Sequence, residues 1–291
     1  MRAEAGTSRR KARSKMSTVG LQGRALGAGV VLPQHIARAK WGQYTYCSFQ
    51  QQGSYVDNVG YGSPTSTSGN VSRGFLPSEL GGSLPIVYYN NGTQTIVAPT
   101  WNVNGLVVSG DLTDTEGVGY VFGADDNVAR GKHVYQINHT QGSATVFFAK
   151  LTWTIADVSG VTTSVFGFRK VQAFQTALTG YTDLACCGLV DTTGNVSTRT
   201  RLNNGTAVVT DTGYDWADAG THTVEIQVNQ AGQAKIIYDT YVVLNNTFTF
   251  DADDYVIPFF SLLHATTSPG AMTWSLFESG WKTNKSVDAP F

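Results

Sequence analysis

From Gly220 to Trp281 the chain alternates apolar and polar positions almost without a break. His222, Val224, Ile226 and Val228 interleave with Thr223, Glu225 and Gln227, the period-2 pattern of a half-buried strand. Gln230-Ala231-Gly232-Gln233 supplies a turn, and Ala234 to Tyr238 returns as the second arm of a hairpin. Asn245-Asn246 reads as a further turn before Thr247-Phe248-Thr249-Phe250, and Asp251-Ala252-Asp253-Asp254 as a polar bend. Tyr255 to His264 is almost continuously apolar, as a strand covered on both faces would be. Met272 to Trp281 closes the series. Burial is expected for Phe166, Val224, Ile226, Phe248, Phe250, Ile257 and Phe259.

Upstream, Gly105 to Asp111 and Gly119 to Gly123 read as strands. So do Ala144 to Ile155, Ser164 to Lys170, Asp183 to Val190, Val196 to Leu202 and Ala207 to Thr210. Short strands separated by Gly and Asn turns predict an antiparallel sandwich. No amphipathic helical pattern of ordinary length occurs beyond residue 40. Residues 41–100 are rich in Gly, Ser, Asn, Tyr and Gln. They read as a lead-in segment, laid over a neighbouring subunit or forming a small irregular subdomain, with Leu84 to Tyr89 as its one clear strand. The expected organisation is therefore a basic arm at 1–40, a lead-in at 41–100 and a sandwich domain at 101–291.

The strings "HTVEIQVN", "KIIYD", "FTFDADDYVIPFF" and "WSLFESGW" follow one another in that order, with "FGFRK" upstream. The stretch from Trp101 to Trp281 resembles a concanavalin A-like jelly roll, the lectin/glucanase or LamG-like sandwich. It is more narrowly similar to versions found in structural proteins of tailed bacteriophages. The resemblance implies an all-β, antiparallel sandwich. It leaves sugar binding, hydrolysis and purely structural roles open, since this fold hosts all three.

Composition sharpens that picture. Charged residues make up 14% of 291, alongside 32 Gly, 13 Tyr and 14 Phe, which suits a β-rich protein with many turns. The net charge of -1 hides an asymmetry. Residues 1–40 carry nine Lys or Arg and one acid, Glu4, leaving 11 basic and 20 acidic residues for the rest. A basic arm on an acidic body has the character of an interaction tail, its partner being nucleic acid or an acidic protein surface. Arg9, Arg10, Lys11, Arg13 and Lys15 are the residues expected to make those contacts. The arm lacks a recognisable nucleic-acid fold, which favours the protein surface. Its apolar stretch, Leu26 to Leu32, is too short and Gly-rich for a signal peptide or a membrane span, so no membrane partner is expected. Cys47, Cys186 and Cys187 make no disulfide framework, which fits folding in a reducing cytoplasm. Cys186 and Cys187 should point to opposite faces of one strand.

Few residues suggest chemistry. Asp114 and Glu116, near Asp111, are the nearest approach to a carboxylate pair. Glucanases of the resembled fold carry a Glu-x-Asp-x-(x)-Glu strand, and none of the five Glu begins one. No catalytic residue is expected. No cofactor or metal is expected either. Asp251, Asp253 and Asp254, with Asp239 upstream, are the residues that could ligate a hard cation if one binds, against their ordinary role in a bend. Trp216, in the polar stretch Tyr214 to Asp218, is the candidate exposed ring for a glycan. His264, after an apolar run, reads as a hydrogen-bonded residue at a strand end.

Two functions are carried forward. The first is a non-enzymatic virion structural protein, a capsid decoration or cement subunit anchored by its arm. It would fold in the host cytoplasm, form homo-oligomers, and contact the major capsid protein and neighbouring copies of itself. The alternative is a carbohydrate-binding module of a phage tail or receptor-binding protein, or a secreted lectin.

Overall fold

The computed structural model describes residues 44–49, 71–76, 84–91, 100–108, 116–123, 129, 131–137, 145–264 and 272–283. The arm residues Arg9, Arg10, Lys11, Arg13 and Lys15 lie outside them, as do Asp111 and Asp114.

Among the described residues seventeen strands follow in order: β1 (Thr45–Ser48), β2 (Val71–Leu76), β3 (Leu84–Asn91), β4 (Thr100–Asn102), β5 (Gly105–Val107) and β6 (Gly117–Phe122). Next come β7 (Tyr135–Gln136), β8 (Thr145–Ile155), β9 (Val161–Lys170), β10 (Leu184–Leu189), β11 (Asn195–Arg201) and β12 (Val208–Asp215). The last are β13 (Thr221–Asn229), β14 (Gln233–Tyr238), β15 (Tyr241–Thr249), β16 (Tyr255–His264) and β17 (Met272–Thr283). They form two sheets in which every pairing is antiparallel. One runs β15-β14-β13-β8-β17-β5-β4, with β1 also on β17; the other runs β12-β11-β10-β9-β16-β6-β3-β2, with β7 also on β16.

The sheets stack through a shared aromatic core. Trp153 and Trp274 from the first sheet meet Phe260 of the second at 5.7 and 5.2 Å between ring centres, and Tyr120 meets Trp274 edge-on at 4.7 Å. Val224, Ile226 and Val228 face this core, as the alternation of β13 predicts. β16 is covered on both sides. Val256, Phe260 and Leu262 point into the core, while Ile257 and Phe259 point outward into two separate apolar clusters. The chain between β9 and β10 returns over that outer face. It lays Leu178 and Tyr181 against Phe259 and Val165, and Phe174 against Tyr89. Cys187 faces the core and Cys186 the outer cluster, both buried.

Phe259 is 2% exposed and packs with Val165, Leu178, Tyr181, Leu184 and Cys186. Its ring is also 5.9 Å from that of Tyr181. Truncating Phe259 to Ala should cost about 3–5 kcal/mol, since a buried aromatic leaves a cavity its neighbours only partly fill. A urea melt of Phe259→Ala that shifts by less than about 1 kcal/mol would show that the outer cluster collapses freely around the gap.

Two sequence readings change. Within the 41–100 segment, the described strands β1 and β3 belong to the two sheets. β1 joins the first sheet by pairing Thr45 with Ser279 and Ser48 with Leu276, and β3 joins the second through Ile86 to Asn91 on β6. Leu84 to Tyr89 is legible as a strand from its own apolar run, whereas β1 is four residues long and shows too little pattern without its partner β17. Asn245-Asn246 is not a turn either. It is a bulge inside β15, with Asn246 at φ 58, and the reversal lies at Asp239-Thr240 with Asp239 at φ 53. Asparagine tolerates the left-handed region in both settings, so composition does not separate them.

Candidate functional site

At one lateral end both sheets finish in edge strands, β12 and β15. β12 is exposed along most of its length. Val208, Val209, Tyr241 and Val242 are the large apolar side chains left in solvent there, at 59, 48, 55 and 49% exposure. Both strands bulge: β12 skips Thr212 and Gly213 opposite the Val196-Ser197 step, and β15 shifts register twice along β14. Such bulges twist an edge away from further strand pairing. The surface is therefore suited to recognition by side chains rather than to strand addition.

Its centre is a stack of rings. Tyr241 lies on Tyr214 with centroids 5.0 Å apart and planes at 24°. Tyr214 approaches Tyr238 at 5.7 Å, and Tyr238 stacks on His222 at 5.1 Å. Asp239 fixes the turn before Tyr241, accepting from the Thr223 N–H at 2.9 Å through one oxygen and contacting His222 Nδ1 at 2.9 Å through the other. Asp215 is exposed beside Tyr214 at the end of β12. The Tyr238 hydroxyl is buried with no hydrogen-bond partner. Burial first, and then the charges of Asp239, Cys187 and Asp215, hold its proton more firmly than in water.

Trp216 does not serve as the exposed ring. It is 2% exposed, its Nε1 donates to Gly220 O at 3.0 Å, and its ring lies 4.8 Å from Trp153. The alternation of β12 continues one step past its end, so Asp215 and Ala217 face out while Trp216 turns in. Tyr241 takes the exposed position instead. Only the Asp239-Thr240 turn immediately before it could have signalled an edge strand there.

The acidic bend resolves differently from its sequence reading. Asp251 and Asp254 are joined by Asp183, with one oxygen from each within 4.8 Å of the others. Lys170 Nζ sits 2.5 Å from Asp254 Oδ1 and 3.7 Å from Asp183 Oδ2. Asn203 clamps the group, its N–H donating to Asp183 Oδ1 and its Nδ2 to Asp251 Oδ2, both at 2.7 Å. Asp253 is not part of it. It is exposed at φ 64 and accepts a 3.5 Å contact from Gln136 Nε2. Asp239 is far along the chain at the Tyr241 turn, tied to His222. The ammonium of Lys170 thus sets one positive charge beside three converging carboxylates. Burial raises the Asp254 pKa, and the Asp183 and Asp251 charges add to this, against the Lys170 hydrogen bond and charge. For Lys170 burial opposes the charged form, but the Asp254 hydrogen bond and the three carboxylates win, so its pKa is raised.

Glu116 is buried, and its carbonyl accepts from the His264 N–H at 2.9 Å. The His264 ring, read as hydrogen-bonded, has neither nitrogen paired; burial lowers its pKa, partly offset by Glu116.

Neither a protein family nor a curated protein matches the sequence. Solved structures of similar shape are lectin and carbohydrate-binding domains, among others. The carbohydrate-binding module CBM66 from Bacillus subtilis is 12% identical over 63% of this chain and 91% of its own, with a TM-score of 0.38. Lectin I-B4 from Griffonia simplicifolia is 9% identical over 68% and 93%, with a TM-score of 0.45. A protein of unknown function from Shewanella oneidensis is 11% identical over 84% and 89%, with a TM-score of 0.42. The assignment as an antiparallel sandwich stands on the strand pairing itself.

Proposed function

We propose that this chain is a non-enzymatic glycan-binding module whose platform is the Tyr241–Tyr214 stack. The observation that carries the reading is the 55% exposed Tyr241 ring, backed by a second ring and bordered by Asp215, Asp239 and His222. A flat aromatic face accepts the apolar face of a pyranose, and neighbouring carboxylates accept hydrogen bonds from its hydroxyls. Val208, Val209 and Val242 extend the apolar rim. Asp239 and His222 hold one another, so the turn that presents Tyr241 is fixed before any ligand arrives.

A glycan array probed with the wild type and with Tyr241→Ala tests this. Bound glycans should lose about fivefold or more in affinity in Tyr241→Ala, from about 1 kcal/mol of lost stacking, and retain affinity in Tyr241→Phe. Absence of binding by the wild type to any glycan sinks the reading. A second reading, the virion decoration subunit, is favoured by one observation, the charge asymmetry between residues 1–40 and the rest. It expects protein lacking residues 1–40 to stay folded and fail to decorate capsids. Capsid occupancy unchanged by that deletion removes it.

A further inference from the structure

Tyr214 pairs with Val196 and Tyr241 with Tyr238, and both partners face the core. Residues directly opposite one another on antiparallel strands share a face. The two rings therefore leave the inner faces of β12 and β15 and meet across the seam between the sheets. The carboxylates around that seam have no basic neighbours on its strands. Asp211 and Asp215 are exposed on β12, and Asp239 is exposed at the turn into β15. β12 and β15 hold no Lys or Arg, and Lys235 is the one such residue between Arg201 and Lys282.

The cations of the adjoining strands, β11 and β14, project away from the seam. Lys235 lies between Ala234 and Ile236, which face the core, so it stands on the outer face of β14. Arg199 and Arg201 pair with Cys186 and Leu184, both in the outer cluster of the second sheet. Arg201 is held there by the carbonyl oxygens of Tyr181, Gly205 and Asn204. His222 can gain a positive charge, but it is tied to Asp239. Its protonation would offset Asp239 and leave Asp211 and Asp215, neither of which is in an ion pair among the described residues. The charges of Asp239 and Asp215 reach the Tyr238 hydroxyl with no basic group to counter them.

We propose that the Tyr241 platform selects amino sugars, hexosamines that carry a free, protonated amine. This rests on the glycan-binding reading of the same platform. The negative face of a tyrosine ring attracts an ammonium. Carboxylates within about 10 Å add an attraction that ordinary salt only partly screens. The same field disfavours uronic and other acidic sugars. Stacking of the carbon face on Tyr241 is common to all of these ligands, so the charge decides among them.

The test is calorimetric titration of the full chain at pH 7 with the tetramers of glucosamine, N-acetylglucosamine and galacturonic acid, in low and in physiological salt. In low salt the glucosamine tetramer should bind about fivefold or more tighter than its N-acetylated counterpart, which has lost the charge, and galacturonate should bind weakest. Added salt should narrow the gap. So should Asp215→Asn, at an exposed position. Tyr241→Ala, which leaves every charge in place, should lose the glucosamine tetramer. Equal or tighter binding of the N-acetylated or galacturonate tetramer, lost in Tyr241→Ala, overturns the amino-sugar selectivity and leaves the glycan reading standing. Glucosamine binding that survives Tyr241→Ala overturns it too, because attraction to an acidic surface would then suffice without the ring. If none of the three binds while other sugars on the array do, the amino-sugar assignment fails alone; if no glycan of any kind binds, both readings fail.

Discussion

A chain beginning at Tyr44 should unfold cooperatively, and one beginning at Gln50 should not. The six residues between them are worth more than their number suggests. Cys47 and Phe49 are completely buried, and the Phe49 ring lies 6.2 Å from Trp274. The Tyr44 hydroxyl donates to Glu278 Oε1 at 2.8 Å. Thr45 Oγ1 is 2.9 Å from His133 Nε2, His133 Nδ1 is 3.0 Å from the Tyr135 hydroxyl, and that hydroxyl is 3.0 Å from Ser279 Oγ. This chain is a closed polar network inside the sandwich. Burial, helped by Lys132, pushes the His133 pKa down to about 3, so the imidazole stays neutral over the usual pH range. Removing β1 empties the site of Phe49, at about 3–5 kcal/mol. It also strands the His133 Nε2, at about 1–3 kcal/mol, and takes the Tyr44 hydroxyl from Glu278, which keeps Lys150 at 4.0 Å. The total is comparable with the whole stability of an ordinary domain, about 5–15 kcal/mol. Circular dichroism melts of the two chains would check this; midpoints within a few degrees of each other would show that β1 is dispensable.

Replacing Lys170 with Met should destabilise the protein by about 2–3 kcal/mol at pH 7. Breaking a fully buried pair costs about 3–5 kcal/mol, and the Lys170 side chain, at 35% exposure, is partly screened by solvent. The pH dependence identifies the cause. Asp254 already has a raised pKa in the folded protein, so its ionisation works against folding as pH rises through that value. Without the ammonium, Asp183, Asp251 and Asp254 repel with nothing between them, and the penalty on their ionised forms grows. Below the carboxylate range Asp254 is protonated in both folded and unfolded states, and the variant's deficit should shrink. Lys170 itself has a raised pKa, so its contribution holds through neutral pH and fades only once the medium becomes alkaline enough to discharge it. The difference between wild type and Lys170→Met should therefore be widest near neutrality and narrow at both ends. Urea melts at acidic, neutral and alkaline pH would show it. A deficit independent of pH would mean that the lysine's aliphatic stem, not its charge, does the stabilising.

What was legible in the chain, and what was not, divides along the range of the interactions. Alternation is written into neighbouring residues. Val224, Ile226 and Val228 on β13 could be assigned to the buried face without knowing what covers them. The uninterrupted apolar run of β16 likewise announced two covered faces, and the structure places Phe260 on one and Phe259 on the other. Cys186 and Cys187 followed from the same period. These features are enough for an all-β antiparallel sandwich, because strand class depends on local pattern. The site depended on distant partners. Asp251 and Asp254 share a bend, but Asp183 reaches them from the start of β10, and Lys170 from the end of β9. Trp216 stands in a polar stretch, yet the strand's alternation carries it inward against Trp153. Tyr214 and Tyr241 meet only because β12 and β15 end the two sheets on the same side. Within the lead-in the apolar run of β3 was legible, but the partners of β1 and β3, on β17 and β6, were not. Periodicity fixes which way a side chain points relative to its neighbours in the chain. What it then meets is set by the register and stacking of strands that the chain brings together later.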